Sequence, residues 1–292
     1  MRKKHLFILL QSYIMKALQG GVLRMNIKAI MCDIDGTILN DKGVVCESTL
    51  QAIRRVREKN ILFGLCTGRD VHSVRNLLTT WKLDGLVDVI VGTGGAEICD
   101  FTNHIETNAY PLDGHFIKQI ISHYEDMDVN FAVPCAGVIY APKDDEHIRM
   151  LSTFDQIPYK VVDFDAFLSK PRAKVMIVTD PDNMENVIER SKTFADEHYK
   201  SSALKTASVL FEYMDPRISK SDGLKKVMDA HQFQMEELCC FGDADNDYDM
   251  ILHCGVGVVM GNGSEKTKSV ANYITDDNNH DGIANFINQY II

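Results

Sequence analysis

Positive charge is scarce in this sequence, with 31 Lys and Arg against 41 Asp and Glu and a formal net charge of −10. Nucleic acids and anionic membranes are bound through basic surfaces, so neither is expected as a partner. Any anionic substrate must be captured by a few local cations against the overall field. Metal-ligand spacing is missing as well. The ten histidines form no HxxxH or HExxH pair, and Cys239 and Cys240, though adjacent, have no second pair to complete a zinc cluster. Cys32, Cys66, Cys239 and Cys240 lie in or beside apolar runs, where a reduced thiol acts as a small hydrophobe. That usage fits a reducing cytoplasm better than a disulfide framework. The glycine-rich stretches "GTGGAE" (92–97) and "GVGVVMGNG" (255–263) do not complete GxGxxG at a strand-to-helix turn, which argues against a dinucleotide site. Asn262, in the second of them, follows a strand and reads equally as a turn residue or as one facing a site.

Residues 1–24 start basic and contain the apolar run Leu6–Leu10, far too short to span a bilayer. Gln11, Ser12 and Lys16 interrupt it and no A-x-A site follows, so it fits a secretory signal poorly. Met25 immediately precedes "NIKAIMCDIDGT", a natural opening for a first strand. We read 1–24 as an N-terminal extension or start-site artefact and expect it to pack poorly on the fold.

A chain of 292 residues, 45% apolar and 25% charged, can bury a good core and suits two domains. Apolar runs at 27–32, 61–66 and 87–92 alternate with helical patterns at 47–60 and 70–81, the signature of βαβ units and a parallel sheet. Several short strands then follow at close spacing, with helices near 112–126 and 143–154, a strand at 173–179, a helix from 180 and a last strand at 208–214. This is expected to be an α+β insert with an antiparallel sheet over 93–205. The parallel pattern resumes with helices at 219–232, 245–253 and near 279–290 and strands at 238–242 and 255–260. The expected division is therefore core 25–92, insert 93–205 and core 206–292.

In an open α/β sheet the site lies at the carboxyl ends of the strands. Strand one ends in Asp33-Ile34-Asp35-Gly36-Thr37, strand two in Thr67-Gly68-Arg69, and the strand at 238–242 in Asp243-Ala244-Asp245-Asn246-Asp247. The helix at 219–232 begins Ser219-Lys220. Taken singly, a DxD is more often a solvated turn, Asp243 and Asp247 read as a cap and a first-turn acid, and Lys220 reads as a surface lysine. Together they bring several carboxylates to one sheet edge, where they would repel and lose charge without a cation. Oxygen ligands with no His or Cys nearby favour Mg²⁺. Such a site suits attack on phosphorus. Asp33 would be the nucleophile and Asp35 the general acid and base, placed on the same face by the two-residue strand repeat. Thr67, Lys220 and the glycine-exposed amides around Gly36, Thr37 and Gly68 would hold the phosphate oxygens.

The ordered set "DIDGT" (33–37), "TGR" (67–69), "SK" (219–220) and "GDADND" (242–247) resembles the haloacid-dehalogenase-like hydrolase superfamily, in particular its Cof-type phosphatases, over about 26–292. The resemblance implies a Rossmann-like parallel-sheet core with an inserted α+β cap, and a Mg²⁺-dependent phosphatase acting on sugar phosphates or phosphorylated cofactors. It implies Asp33 as nucleophile, Asp35 as acid/base, Thr67 and Lys220 on the phosphate, and Asn246 near it. The implied metal set is Asp33, Asp35 through its carbonyl, Asp243 and Asp247, the last also a supporting acid. A phosphomutase and a non-catalytic phosphate sensor are the competing readings. Three departures concern the pocket: Gly94-Gly95-Ala96 where the family often has Asn-Gly-Ala, Ser221 where Gly is common, and Arg217 where a small residue is usual.

Overall fold

The computed structural model describes residues 26–194 and 202–292, so the extension 1–24 lies outside the described residues. Its larger sheet takes β1 (Ala29–Cys32), β2 (Leu62–Cys66), β3 (Val89–Gly92), β4 (Glu97–Asp100) and β5 (Ile105–Asn108). The smaller sheet is built from β6 (Asn130–Cys135), β7 (Val138–Ala141), β8 (Tyr159–Val161), β9 (Lys174–Val178), β10 (Ser202–Ala207) and β11 (Leu210–Met214). β12 (Leu238–Gly242), β13 (Val256–Val259) and β14 (Tyr273–Ile274) return to the larger one, whose order is β14-β13-β12-β1-β2-β3-β4-β5.

From β14 to β3 the larger sheet is parallel. Its central strands are buried at every position, because helices cover both faces and leave no solvent side to alternate with. Helix Glu47–Glu58 buries Leu50, Ile53 and Val56 along one stripe, the positions its sequence period marks. β1 sits between β12 and β2, with Cys32 level with Phe241 on one side and Leu65 on the other. The chain order reverses at β1, so the crevice expected of an open α/β sheet opens at its carboxyl end. This is the α/β core with an inserted α+β unit that the sequence pattern implies.

The sheets divide differently from the expected 93–205 insert. The β4–β5 hairpin pairs antiparallel with β3 and extends the core sheet, and β11 belongs to the inserted sheet. Gly94 and Gly95, at φ 64° and 114°, turn the chain straight back on the edge of β3, so β4 finds its partner there. The inserted sheet runs β10-β11-β9-β6-β7-β8, and the chain crosses between the units near 109–112 and 215–219. At the crossings the Arg217 guanidinium lies 4.0 Å from the Tyr110 ring centroid.

Strand alternation gives the inserted sheet two unlike faces. Val175, Ile177, Phe211 and Tyr213 pack with Phe116, Ile117 and Ile120 of helix Gly114–His123 in an apolar core. Lys174, Met176, Leu210, Glu212 and Met214 take the other face and line a cavity against the core sheet. Among the described residues, no helix is long and apolar enough to cross a membrane.

Gly95 also admits the helix that carries Lys220, since a Cβ there would lie 2.0 Å from the Ser219 carbonyl oxygen. Gly95→Ala is expected to lower the unfolding free energy by at least about 2 kcal/mol, from left-handed strain plus displacement of that helix. A urea titration of both proteins measures it; an unchanged midpoint would mean the turn relaxes freely.

Candidate active site

The register of β1, β2 and β12 brings three strand ends level, and the described side chains converge there. Asp33 follows β1 and is 7% exposed. Helix Lys220–Ala230, capped by the Ser219 hydroxyl accepting from the Asp222 amide, directs Lys220 into the same spot. The buried Lys220 Nζ donates to Asp33 Oδ1 at 2.6 Å and to Asp247 Oδ1 at 2.5 Å. Asp247 Oδ2 accepts from the amides of Asp243 and Ala244 at 2.9 and 3.0 Å. Thr37 Oγ1 donates to Asp243 Oδ1 at 2.6 Å. Gly36, at φ 76°, brings its backbone so close to Asp243 that a Cβ would lie 2.6 Å from Oδ2.

One ammonium thus faces three carboxylates, with oxygens of Asp33, Asp243 and Asp247 all within 4.8 Å of one another. Burial pushes the Asp33 carboxyl well up, Asp247 adds to this, and Lys220 opposes it. Burial likewise takes Asp243 up to about 6 against the Thr37 hydrogen bond, with Asp247 adding. Burial disfavours the Lys220 charge, but Asp247 and Asp33 outweigh it and raise the lysine. The surplus negative charge and the all-oxygen donor set fit a hard dication. Asp33, Asp243 and Asp247 are the described acids that could hold it. Asp247 also accepts hydrogen bonds at both oxygens and so fixes Lys220 and the 243–244 backbone.

Asp35 departs from the strand argument. The chain leaves β1 in a tight turn over Ile34–Ile38, and Asp35 shares the cavity with Asp33 through that turn rather than through strand alternation. Its carboxylate receives a two-pronged pair from Arg69, Nε to Oδ2 and Nη2 to Oδ1, both at 2.8 Å. Arg69 Nη1 also donates to the Asp155 carbonyl at 2.6 Å, at the end of helix Glu146–Asp155 in the insert.

A cavity of about 370 Å³ brings together Asp33, Asp35, Thr67, Gly68, Lys220 and Asn246 of the expected set. Gly36 and Thr37 do not line it and instead position Asp243. Asn262 donates to the Gly36 carbonyl at 2.8 Å, bracing the motif turn. Arg217 pairs with Asp215 and does not line the cavity either. From the insert come residues the sequence reading missed. Lys174 Nζ donates to Glu212 Oε2 at 2.9 Å and to the Gly68 carbonyl at 3.0 Å, and Thr206 Oγ1 donates to Glu212 Oε1 at 3.1 Å. A lone charge inside each apolar run, "AKVMIVT" and "LFEYM", was the available signal.

The family model for haloacid dehalogenase-like hydrolases matches residues 30–287, and the chain belongs to that family. Among curated proteins it is 27% identical over 269 residues to the 5-amino-6-(5-phospho-D-ribitylamino)uracil phosphatase YitU of Bacillus subtilis, covering 89% of this chain and 96% of that one. It is 26% identical to the putative phosphatase YxeH of the same organism, over 91% of this chain and 98% of the relative. A haloacid dehalogenase-like hydrolase from Bacteroides thetaiotaomicron superimposes with a TM-score of 0.81 at 23% identity, covering 90% of this chain and 99% of the other. The subclass IIB sugar phosphatase BT4131 gives 0.76 at 21% identity, with 90% and 98% covered. At these identities the structural matches speak for the fold.

Burial raises the Asp155 carboxyl from 3.8 to about 6 although Arg69 opposes the rise. An acid whose folded pKa lies above its unfolded one favours the fold below about pH 4, and that advantage is lost as pH rises through 6. Relative to Asp155→Asn, the wild type should therefore lose up to about 3 kcal/mol of unfolding free energy between pH 4 and 7, at about 1.4 kcal/mol per pK unit. Denaturant titrations of both proteins across that range measure it; a constant difference would show that Asp155 is ionised throughout.

Proposed function

We propose that this member of the haloacid dehalogenase-like hydrolases is a Mg²⁺-dependent phosphatase that cleaves small phosphomonoesters through an aspartyl-phosphate on Asp33. The observation that carries the reading is the buried Asp33–Lys220–Asp247 chain opening into one cavity with Asp35 and Thr67. The names of its curated relatives support phosphomonoesters as the substrates.

A bound Mg²⁺, held by Asp33 and Asp243 with the Asp35 carbonyl, would offset the repulsion between the anionic nucleophile and the anionic phosphate. An Asp33 oxygen attacks phosphorus and the P–O bond to the leaving group breaks. The leaving oxygen takes a proton from Asp35. A water then attacks the aspartyl-phosphate and gives its proton to Asp35. The bond between Asp33 and phosphorus breaks, releasing inorganic phosphate. Thr67, the Gly68 backbone, Lys220 and Asn246, which line the cavity, would bear the charge on the transferring oxygens. Lys220 also favours the ionised form of Asp33 against the effect of burial. Arg69 orients Asp35 until a substrate draws it away. The second sheet is the cap, bounded by the two chain crossings, and keeps bulk water out during the first step. The eight free thiols support a cytoplasmic setting.

Phosphate release from acetyl phosphate and simple esters, with and without Mg²⁺, tests the assignment. Asp33→Asn is expected to cut release by roughly three orders of magnitude or more while leaving the fold intact. A variant with near wild-type turnover would remove Asp33 as nucleophile. A product that keeps its phosphate would point to a mutase.

A further inference from the structure

Resting on the phosphatase reading, we infer that the substrate is an ester with a single phosphate whose leaving group is uncharged and ring-bearing, with a flat apolar or heteroaromatic body rather than a bare sugar or a second anion. The charges on the cavity wall give the first argument. Among the described residues seven acids and four cations line it, the cations being Arg69, Lys174, Lys220 and Lys266. Each cation is already paired. Arg69 holds Asp35 and Asp155, Lys174 holds Glu212, Lys220 holds Asp33 and Asp247, and Lys266 lies 3.5 Å from Asp245. The dication and Lys220 would serve the one phosphate. A carboxylate or second phosphate on the leaving group would then enter an acidic cavity with no uncommitted cation among the described residues, the arrangement that rejects a ligand most strongly.

The second argument is the wall opposite the strand ends. Met176, Leu204, Leu210, Met214 and Ile218 present an apolar surface there. Phe154 joins them from the last turn of helix Glu146–Asp155 with 64% of its surface exposed, one residue before the Asp155 that Arg69 grips. A polyol would leave its hydroxyls facing these side chains without partners, whereas a planar ring can stack on Phe154 and cover the methionines. The Lys174–Glu212 pair and the Thr206 hydroxyl that donates to Glu212 are polar features set in this wall. Two of the three Lys174 ammonium hydrogens are used, on Gly68 and Glu212, leaving one for a carbonyl or hydroxyl acceptor on the ring. At about 370 Å³ the cavity falls within the range of small-molecule sites, about 300–1,000 Å³.

The test compares kcat/KM of the full-length enzyme with Mg²⁺ on pyridoxal 5′-phosphate, flavin mononucleotide, glucose 6-phosphate, 6-phosphogluconate and fructose 1,6-bisphosphate, with acetyl phosphate as the generic donor. At least one ring ester should exceed glucose 6-phosphate about ten-fold or more, and the doubly anionic substrates should be the poorest. Phe154→Ala should lower the ratio of ring ester to acetyl phosphate about ten-fold. Glu212→Gln, which strips Lys174 of its counter-charge, should raise 6-phosphogluconate relative to glucose 6-phosphate about ten-fold; the wild-type panel decides alone if that variant does not fold. Glucose 6-phosphate or a doubly anionic ester matching the best ring ester, with acetyl phosphate still cleaved in an Asp33-dependent way, would overturn the leaving-group assignment and leave the phosphatase standing. No Asp33-dependent release from any compound, acetyl phosphate included, would overturn both.

Discussion

The Lys220 ammonium between Asp33 and Asp247 is the interaction on which the rest of the site depends. An ion pair this deep seldom repays its own desolvation, and replacing such groups by apolar ones often stabilises a protein. Here the charge is also unbalanced, since Asp243 brings a third carboxylate to the same oxygens. A fold selected for stability alone would not keep that excess. It makes sense as stored affinity for a dication and for a phosphate that brings its own countercharge requirements. Much of the surrounding architecture serves to hold it. Gly95 and Gly223 lie close enough for the Lys220 helix to press against the turn after β3, and Asp247 pins the backbone that carries Asp243.

The same economy links the two sheets. Where the insert meets the Thr67-Gly68-Arg69 loop, two cations reach across, Arg69 from the core to Asp155 and Lys174 from the insert to the Gly68 carbonyl, and the Gly137 amide of the insert donates to Asp70. Both cations keep a carboxylate of their own, Asp35 for Arg69 and Glu212 for Lys174. Separating the insert would therefore leave each cation with a carboxylate of its own, while Asp155 would lose Arg69. The position of the insert is nevertheless felt at Asp35, because the guanidinium that grips the carboxylate also grips the helix end at Asp155. In a low-dielectric cleft such a link is stiff enough to orient an acid and weak enough to yield to a substrate.

The motifs were legible because three of them sit at the carboxyl ends of strands in a sheet whose register the hydrophobic runs determine, and the fourth, Ser219-Lys220, opens the helix that leads back into that sheet. Asp33 and Thr67 needed only the parallel order of β1 and β2 to meet, and Lys220 needed in addition the helix that packs on the turn after β3. The insert boundary was not legible. The stretch Glu97–Asn108 reads as a hairpin in either sheet, and the choice rests on how sharply Gly94 and Gly95 reverse the chain. The placement of Asp35 followed from a period of two, which ends where the strand does; a tight turn took over two residues earlier than the pattern assumed. Lys174 and Glu212 were visible as charges in apolar runs, but their pairing depends on the antiparallel register of β9 and β11, which sets Lys174 beside Met214 and Glu212 beside Met176.

That register also shapes how selectivity arises in a chain of net charge −10. Capture of phosphate cannot rely on a broad positive field, so on the proposed reading it rests on local contacts at the strand ends and the start of the Lys220 helix. Those contacts are common to any phosphomonoester and distinguish none. Discrimination falls to the opposite wall, where alternation sends Phe211 and Tyr213 into the insert's own core and turns Leu210, Glu212 and Met214 toward the substrate. Shifting β11 by one residue would exchange the two sets, aiming aromatics at the phosphate and a carboxylate into the apolar core. On the proposed reading, the catalytic half of the site is thus fixed by strand ends and the start of the Lys220 helix, and the selective half by strand faces. Substitutions on the cavity face of β9 and β11 can retune the leaving group without touching the groups that act on phosphorus.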